Sequence, residues 1–220
     1  MFFVLEGVDG CGKSTQAKLL AARLQENGYD VLQVADPGTT SAGKRIREIV
    51  LDKSLELSPT AQALLFAAAR VTTAERIKSH LAAGGVVVAD RWIQSTVAYQ
   101  GYAQRVDLNL VAMLTSTSLL GVSPDLTLVL DIERETALAR REGRHTLGAC
   151  GAPALRAKDR FEAEGVEFYR RLHDVYAELA THQNCELLPV EGYSVSVVHD
   201  MILERLQQKF PELAVLRAAA

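Results

Sequence analysis

Glycines near the start of the chain, followed by a lysine and a serine, form a pattern that can bind phosphate. Residues 7–14, GVDGCGKS, fit the spacing G-x-x-x-x-G-K-[ST] between an apolar run and a helical pattern. Glycines let backbone N–H groups converge on phosphate oxygens, and a helix N-terminus adds positive potential there. Lys13 is expected to contact the β- and γ-phosphates of a nucleoside triphosphate, and the Ser14 hydroxyl is expected to bind Mg²⁺. The residues predicted to bind ATP are Gly7, Val8, Asp9, Gly10, Cys11, Gly12, Lys13, Ser14 and Thr15.

An aspartate and an arginine follow a second apolar run. Residues 86–89 are continuously apolar, as in a strand buried on both faces, and Asp90 stands at the carboxyl end of this run. Ligands of α/β proteins bind in the crevice at the carboxyl ends of parallel strands, so Asp90 can reach Mg²⁺ directly or through water. It could also cap the helix that begins near Trp92. Arg91 offers a two-pronged donor to a phosphate.

Short apolar runs alternate with helical patterns along the chain, and this order predicts the fold class. Strands joined by helices imply a parallel sheet with right-handed crossovers. We therefore expect an α/β fold of the P-loop NTPase type, with a doubly wound, five-stranded parallel sheet flanked by helices and a mobile lid. The 220 residues contain no repeat or linker, so one domain is expected over residues 1–220. The predicted strands are 2–6, 29–35, 86–89, 126–130 and 186–190. Three helices are predicted to begin near Lys13, Ser41 and Pro59. Two further helices are predicted from apolar stripes, one over 168–179 and one near the C-terminus formed by Val195, Val198, Ile202 and Leu206.

Glycines and basic residues are concentrated over about residues 140–160. This composition is typical of a mobile basic loop, and we predict a lid that closes over the triphosphate. A solvated surface loop is the alternative, because charged runs usually form surface. Arg144 is the first candidate to contact the transferring phosphoryl group, followed by Arg140 and Arg141.

Composition restricts the classes of partner. A net charge of −3 argues against a strongly basic nucleic-acid-binding face. No apolar run is long enough to cross a bilayer, and no charged segment precedes an apolar signal-peptide core, so no membrane partner is expected. Cys11, Cys150 and Cys185 lack the spacing of a zinc site or of a disulfide framework. A cytoplasmic protein that binds small molecules is the expectation.

The stretch after the second apolar run closely resembles the signature of one enzyme family. Residues 90–101, DRWIQSTVAYQG, are similar to the D-R-Y-x-x-S-x-x-A-Y-Q-G motif of thymidylate kinases. Residues 65–70, LFAAAR, resemble that family's L-F-A-A-D-R segment, and residues 36–40, DPGTT, resemble its R-E-P-G-G-T turn. The resemblance implies transfer of the ATP γ-phosphoryl group to dTMP, giving dTDP and ADP, in a homodimer. No arginine lies between Gly7 and Gly12, so the catalytic arginine is assigned to the lid, as in the bacterial type of the family.

The resemblance also implies a role for each matching residue. Phe66 would stack on the thymine ring, although taken alone this phenylalanine is better read as a core residue. Arg70 and Gln100 would hydrogen-bond the edge of the base, and Tyr99 would lie against the deoxyribose. Thr96 would line the base pocket, and Arg47 and Arg91 would bind the acceptor phosphate. Asp36 and Asp9 would lie near the 3′-hydroxyl and the metal. The catalytic group would consist of Lys13, Asp9 and Arg91 together with the lid arginines.

Departures from the family pattern leave a second hypothesis open. Ala35 stands where the family usually has an arginine, and Ala69 stands where it has Asp or Ser. These differences are compatible with a kinase for another deoxynucleoside monophosphate. A third hypothesis, a non-catalytic nucleotide-binding regulator, is opposed by the intact Lys13, Ser14 and Asp90.

Overall fold

The sheet of this protein has five parallel strands in the order β2-β3-β1-β4-β5. A computed structural model describes residues 1–146, 161 and 166–216, without the side chains of 141–146, 166 and 214–216. The sheet and its flanking helices confirm the predicted α/β fold class. The strands are β1 (Phe2–Glu6), β2 (Val31–Ala35), β3 (Val86–Asp90), β4 (Leu126–Asp131) and β5 (Cys185–Pro189).

The helices connect consecutive strands and several begin at a side-chain cap. Ser58 accepts a hydrogen bond from the N–H of Ala61 ahead of Pro59, and Thr40 accepts one from Gly43. Within the described ranges, no helix has both the length and the apolar character needed to span a bilayer. The helices are α1 (Lys13–Glu26), α2 (Ser41–Leu51), α3 (Pro59–Ala82), α4 (Ile93–Thr96), a π-helix (Val97–Ala103), α5 (Leu108–Ser118), α6 (Arg134–Thr146), α7 (Val166–Leu179), α8 (Val195–Lys209) and a 3₁₀-helix (Pro211–Leu216).

Several boundaries differ from the sequence-based expectation. β2 begins at Val31 instead of Tyr29, because the N–H of Tyr29 still bonds to the Leu24 carbonyl at the end of α1. β5 begins and ends one residue early, since Cys185 already pairs with Thr127 of β4. In α8 the buried stripe starts at Val198, one helical turn after the predicted start at Val195, whose side chain is 55% exposed.

The first part of the predicted lid is helical. α6 continues to Thr146, so the expectation of a loop from residue 140 onward is wrong for residues 140–146. Ala137, Leu138 and Ala139 are strong helix formers, and no glycine or proline interrupts the pattern before Gly143. Residues 147–160, which complete the predicted lid, lie outside the described residues.

The alternating side chains of β1 are buried on both faces of the sheet. Phe2 and Val4 belong to a core cluster with Trp92, and Phe3 and Leu5 belong to a larger cluster on the other face. The pairing register places Leu5 opposite Asp90, and Ala35 also lies opposite Asp90. The carboxyl ends of β1, β2 and β3 therefore meet at one edge, where residues 7–14 and 90–91 follow them.

A buried carboxylate at the end of β1 fixes the turn that leaves β3. Glu6 Oε1 accepts hydrogen bonds from the N–H groups of Trp92 (2.7 Å) and Ser95 (3.1 Å). Its Oε2 accepts from the hydroxyls of Ser95 (2.7 Å) and Tyr176 (3.1 Å). Burial raises the pKa of Glu6 above its ordinary value, while the charge of Arg91 opposes that rise. Four donors thus converge on one side chain and tie β1, α4 and α7 together.

We expect Glu6→Ala to destabilise the fold by about 2–4 kcal/mol, because two backbone N–H groups lose their acceptor and each such loss costs about 1–3 kcal/mol. Glu6→Gln should lie between this variant and the wild type, since its amide oxygen still accepts while its NH₂ faces a donor. Urea unfolding measures the differences, and Glu204→Ala, on the exposed side of α8, is the matched control. Equal stabilities for Glu6→Ala and Glu204→Ala would contradict the role of Glu6.

A second constraint comes from the close approach of α6 to the glycine-rich loop. Gly10 has φ +100°, and a Cβ built there would lie 2.3 Å from the carbonyl oxygen of Ala137. We expect Gly10→Ala to cost about 2–4 kcal/mol, from left-handed strain together with overlap with backbone. Gly192→Ala is the control, since its φ is +74° and a Cβ there meets nothing within 4 Å; it should cost only about 1 kcal/mol. Nucleotide-free urea unfolding that gives equal losses would rule out the contact with α6.

Candidate functional site

The glycine-rich loop between β1 and α1 encloses its own lysine. Gly7, Gly10 and Gly12 all have positive φ angles, and Gly12 is the N-cap of α1. The buried Lys13 ammonium donates to the Val8 carbonyl oxygen at 2.8 Å, within the loop. The loop therefore has the backbone geometry and the cation of a phosphate-binding turn, as predicted.

Ser14 and Asp90 meet at the edge of this loop. The Ser14 hydroxyl donates to Asp90 Oδ2 at 2.5 Å, and Asp90 Oδ1 is buried with no hydrogen-bond partner among the described residues. Asp90 does not cap the following helix, because Trp92 occupies the N-cap position of α4. The pair brings a hydroxyl oxygen and a carboxylate together, which is the donor chemistry that Mg²⁺ prefers. Among the described residues no cluster of three or more His, Cys, Asp or Glu side chains could hold a metal without help.

Arg91 joins the glycine-rich loop to the π-helix. Its guanidinium pairs with Asp9 of the loop, and the Tyr99 hydroxyl donates to the other Asp9 oxygen at 2.9 Å. Its Nη1 also donates to the Ser95 hydroxyl at 2.9 Å and to the Gly7 carbonyl at 3.3 Å. The backbone of Arg91 has φ +74°, which is unusual for a non-glycine residue.

The charges of this cluster are strongly coupled. Burial works against the ionised form of Asp9, but the charges of Arg91 and Lys13 outweigh it and hold the pKa of Asp9 below its ordinary range. Burial lowers the pKa of Arg91, and the acidic groups around it, Asp9 among them, more than reverse that effect. Burial raises the pKa of the Tyr99 phenol well above its ordinary value. Asp9 is therefore an anion and Arg91 a cation, with Tyr99 neutral between them, over the working pH range.

A second buried ion pair lies behind the first. Arg70 of α3 donates from Nε to Asp36 Oδ2 at 2.5 Å and from Nη2 to the Thr96 hydroxyl at 2.6 Å. Burial raises the pKa of Asp36, and the Arg70 charge opposes the rise. Arg70 Nη1 and Asp36 Oδ1 are buried, and neither has a hydrogen-bond partner in the part of the chain that the structure describes. Arg70 also lies over the Trp92 ring, 5.7 Å from its centroid.

Aromatic rings line the region beside these pairs. Phe66 is partly buried and packs at 6.2 Å, centroid to centroid, against Phe161. Phe161 in turn contacts Tyr99 edge-on at 5.5 Å, and Phe168 lies 6.0 Å from Tyr99. The family resemblance assigns Phe66 and Tyr99 to the same nucleotide, but it assigns no role to Phe161.

The remaining predicted site residues make fewer contacts with the two ion pairs. Gln100 is buried in the π-helix, and its amide contacts Gln104. Arg47 is exposed on α2 and donates to the Pro37 carbonyl at 3.3 Å. Of the lid arginines, Arg140 is exposed on α6, and the side chains of Arg141 and Arg144 lie outside the described residues.

Sequence reasoning missed several residues that hold the site together. Glu6 could have been found, because a carboxylate ending an otherwise apolar strand has to be paired. Ser95 and Tyr176 carried no separate signal, since hydroxyls on helices are ordinary. Gln62 and Gln104 carried no separate signal either, since polar amide side chains on and beside helices are equally ordinary.

Comparison with known proteins agrees with this geometry. The family model described as thymidylate kinase matches residues 5–202. The thymidylate kinase of Pelotomaculum thermopropionicum is 44% identical over 81% of this chain and 79% of its own, and that of Chlorobium luteolum is 36% identical over 96% and 99%. The crystal structure of thymidylate kinase from Ehrlichia chaffeensis superposes with a TM-score of 0.72 at 28% identity, covering 94% of this chain and 98% of that one. The chain therefore belongs to the thymidylate kinase family.

Proposed function

We propose that this protein transfers the γ-phosphoryl group of ATP to the 5′-phosphate of dTMP, producing dTDP and ADP. The observation that carries the proposal is the Asp9–Arg91–Tyr99 cluster. It connects the glycine-rich loop, which would hold the donor, to the π-helix that carries the acceptor-side signature. Two nucleotides bound on either side of Arg91 would bring their terminal phosphates together.

The chain's own residues position phosphates and neutralise their charge. The acceptor phosphate is already anionic, so no strong base is required, and positioning with charge neutralisation accounts for most of the rate. Lys13 would contact the donor phosphates. Arg91 is held between Asp9, Ser95 and Tyr176, so its guanidinium is oriented before substrate binds. The lid arginines Arg140, Arg141 and Arg144 remain proposed contacts to the transferring group.

The acceptor-side roles follow the same geometry. Phe66 would stack on the thymine, Arg70 and Gln100 would bind its edge, and Thr96 holds Arg70 in place through a 2.6 Å hydrogen bond. Asp36 fixes the Arg70 guanidinium. The Tyr99 ring would pack against the deoxyribose. Arg47 would reach the acceptor phosphate from α2.

Ser14 and Asp90 fit a magnesium ion carried by ATP. Their oxygens already adjoin, and Asp90 Oδ1, which no described residue contacts through a hydrogen bond, leaves a carboxylate oxygen for a ligand. Mg²⁺ in phosphoryl-transfer sites takes one or two protein oxygens and completes its shell with phosphate and water. When bound, it would neutralise charge on the β- and γ-phosphate oxygens.

The expected domain organisation, oligomer and location remain proposals. A single nucleoside monophosphate kinase domain over residues 1–220 is supported by the continuous sheet and by the family match over residues 5–202. A homodimer is supported by Leu64 on α3 and by Leu108 and Met113 on α5, which are about half exposed on two helices that contact each other. The cytoplasmic location stays a prediction from sequence.

A panel of monophosphates tests the substrate. In a coupled assay of ADP release, we expect kcat/KM to be highest for dTMP, lower for dUMP and lowest for dGMP, because the pocket combines a ring-stacking face with donors for a pyrimidine edge. A preference for another monophosphate would favour the second hypothesis, which rests on Ala35 and Ala69. ATP binding without any monophosphate-dependent release of ADP would instead identify a regulator.

Arg91→Ala tests the proposed mechanism. We expect turnover to fall at least about 100-fold, the scale seen when one preorganised donor to a transition state is removed. Calorimetric ATP binding should change little, because Lys13 and the loop backbone are unaltered. Arg91→Lys should recover only part of the activity, since one ammonium cannot replace the several N–H donors of the guanidinium. Arg76→Ala, exposed on α3, is the control, and near-normal turnover in Arg91→Ala would refute the assignment.

A further inference from the structure

We propose that Gln62 and Gln104 are positioning residues that fix which way the Gln100 carboxamide faces, and that they thereby set the preference of the acceptor site for a base edge carrying a ring N–H beside a carbonyl. This inference deepens the proposed function and rests on it. Neither glutamine needs to touch the substrate.

The three side-chain amides form a continuous hydrogen-bonded chain that ends on the backbone. Gln62 Nε2 donates to the Leu57 carbonyl oxygen at 3.0 Å. Gln104 Nε2 donates to Gln62 Oε1 at 3.0 Å, and Gln100 Nε2 donates to Gln104 Oε1 at 3.2 Å. Gln62 and Gln100 are both buried, so water competes little for these bonds.

The backbone end of the chain fixes the direction of every bond in it. A carbonyl oxygen can only accept, so Gln62 must turn its NH₂ toward Leu57 and its oxygen toward Gln104. Gln104 must then present NH₂ to Gln62 and oxygen to Gln100. Gln100 is left with its NH₂ toward Gln104. Reversing any one amide would place oxygen against oxygen or NH₂ against NH₂.

The backbone around Gln104 is also held in place. The Gln104 N–H donates to the Tyr99 carbonyl at 2.9 Å, closing the π-helix, and the Val106 N–H donates to the Gln100 carbonyl at 2.9 Å. Residues four apart on a helix share a face, which places Gln100 and Gln104 side by side. The relay therefore joins two anchored segments, the π-helix and the start of α3.

The oriented amide defines what base edge it can accept. Gln100 Oε1 accepts no hydrogen bond from the described residues, and one N–H of Nε2 remains after the bond to Gln104. An oxygen acceptor beside an N–H donor is complementary to the N3–H and C4 carbonyl of thymine or uracil. Cytosine presents the opposite pattern, an unprotonated ring nitrogen beside an amino group. Binding cytosine would require Gln100 to flip and to break the relay.

Arg70 adds a second, independent bias in the same direction. Its guanidinium can only donate, and its Nη1 is buried and finds no acceptor within the described ranges. Arg70 is tied to Thr96, one helical turn before Gln100. A donor on this wall favours a carbonyl over an amino group on the base. The relay and Arg70 are separable, because no bond of the relay involves Arg70.

Substitutions at Gln104 separate acceptor from donor. Gln104→Leu removes the oxygen that holds Gln100, so we expect KM for dTMP to rise about 5–20-fold with kcat within about threefold, and the dTMP:dCMP ratio of kcat/KM to fall at least about tenfold. The lysine of Gln104→Lys can only donate, so Gln100 has to turn its oxygen toward residue 104 and its NH₂ toward the base. The dTMP:dCMP ratio of kcat/KM should therefore fall further. Gln104→Glu still accepts from Gln100 through one carboxylate oxygen, although the other faces Gln62 Oε1 without a donor. Its dTMP:dCMP ratio should therefore stay closer to wild type than the ratio of Gln104→Leu or of Gln104→Lys.

The controls distinguish this proposal from a general loss of structure or of function. Gln208→Leu, exposed on α8, should behave as wild type, and calorimetric Kd values for dTMP and dCMP give the same ratio without turnover. Unchanged ratios in both Gln104→Leu and Gln104→Lys would overturn the relay while leaving the proposed function intact. An equal loss of selectivity in Gln104→Glu would overturn it too, because that variant keeps the orienting acceptor. Absence of dTMP-dependent ADP release in the wild-type protein would refute the proposed function itself.

Discussion

The carboxylate of Glu6 is the interaction on which the rest of the site depends. It lies at the end of the central strand, fully buried, where an unpaired charge or acceptor would be strongly unfavourable. Its four hydrogen bonds offset that cost and hold the backbone at Trp92 and Ser95 as well as the Tyr176 hydroxyl. Because Ser95 and Tyr176 are also partners of Arg91, a side chain with no role in binding nucleotide orients the guanidinium that would act on phosphate.

The two ion pairs, one partly and one fully buried, have different physical tasks. Asp9–Arg91 links a loop to a helix, and its arginine also donates to the Ser95 hydroxyl. Asp36–Arg70 is more deeply enclosed, and its arginine is braced by Thr96 and stacked on Trp92. Burying such pairs contributes little net stability, since desolvation cancels much of the attraction. These pairs serve to orient the two guanidinium groups, because each group is held in one plane with one face packed against the protein.

How far the sequence predicts this site depends on the range of the interaction. The five strands and the position of Asp90 at the end of β3 follow from local spacing and periodicity, and the predicted fold class is confirmed. β2 begins two residues later than predicted because the N–H of Tyr29 bonds back to the Leu24 carbonyl. The hydrophobic periodicity of the sequence carries no signal for that bond. α6 extends to Thr146 because helix propensity outweighs the glycine at 143. The convergence of Glu6 with Ser95 and Tyr176 joins residues 89 and 170 positions apart, and only the tertiary fold brings them together.

The glutamine relay shows the same limit in its strongest form. Gln104 is only four residues from Gln100, but Gln62 lies on α3, and nothing in its local sequence associates it with either of them. An isolated carboxamide has two nearly equivalent orientations and reads no base edge selectively, because rotation exchanges its donor and its acceptor. The Leu57 carbonyl removes that ambiguity at the far end of the chain, and two intervening amides transmit the choice. Selectivity at Gln100 is therefore set by a backbone oxygen that lies two side chains away from it.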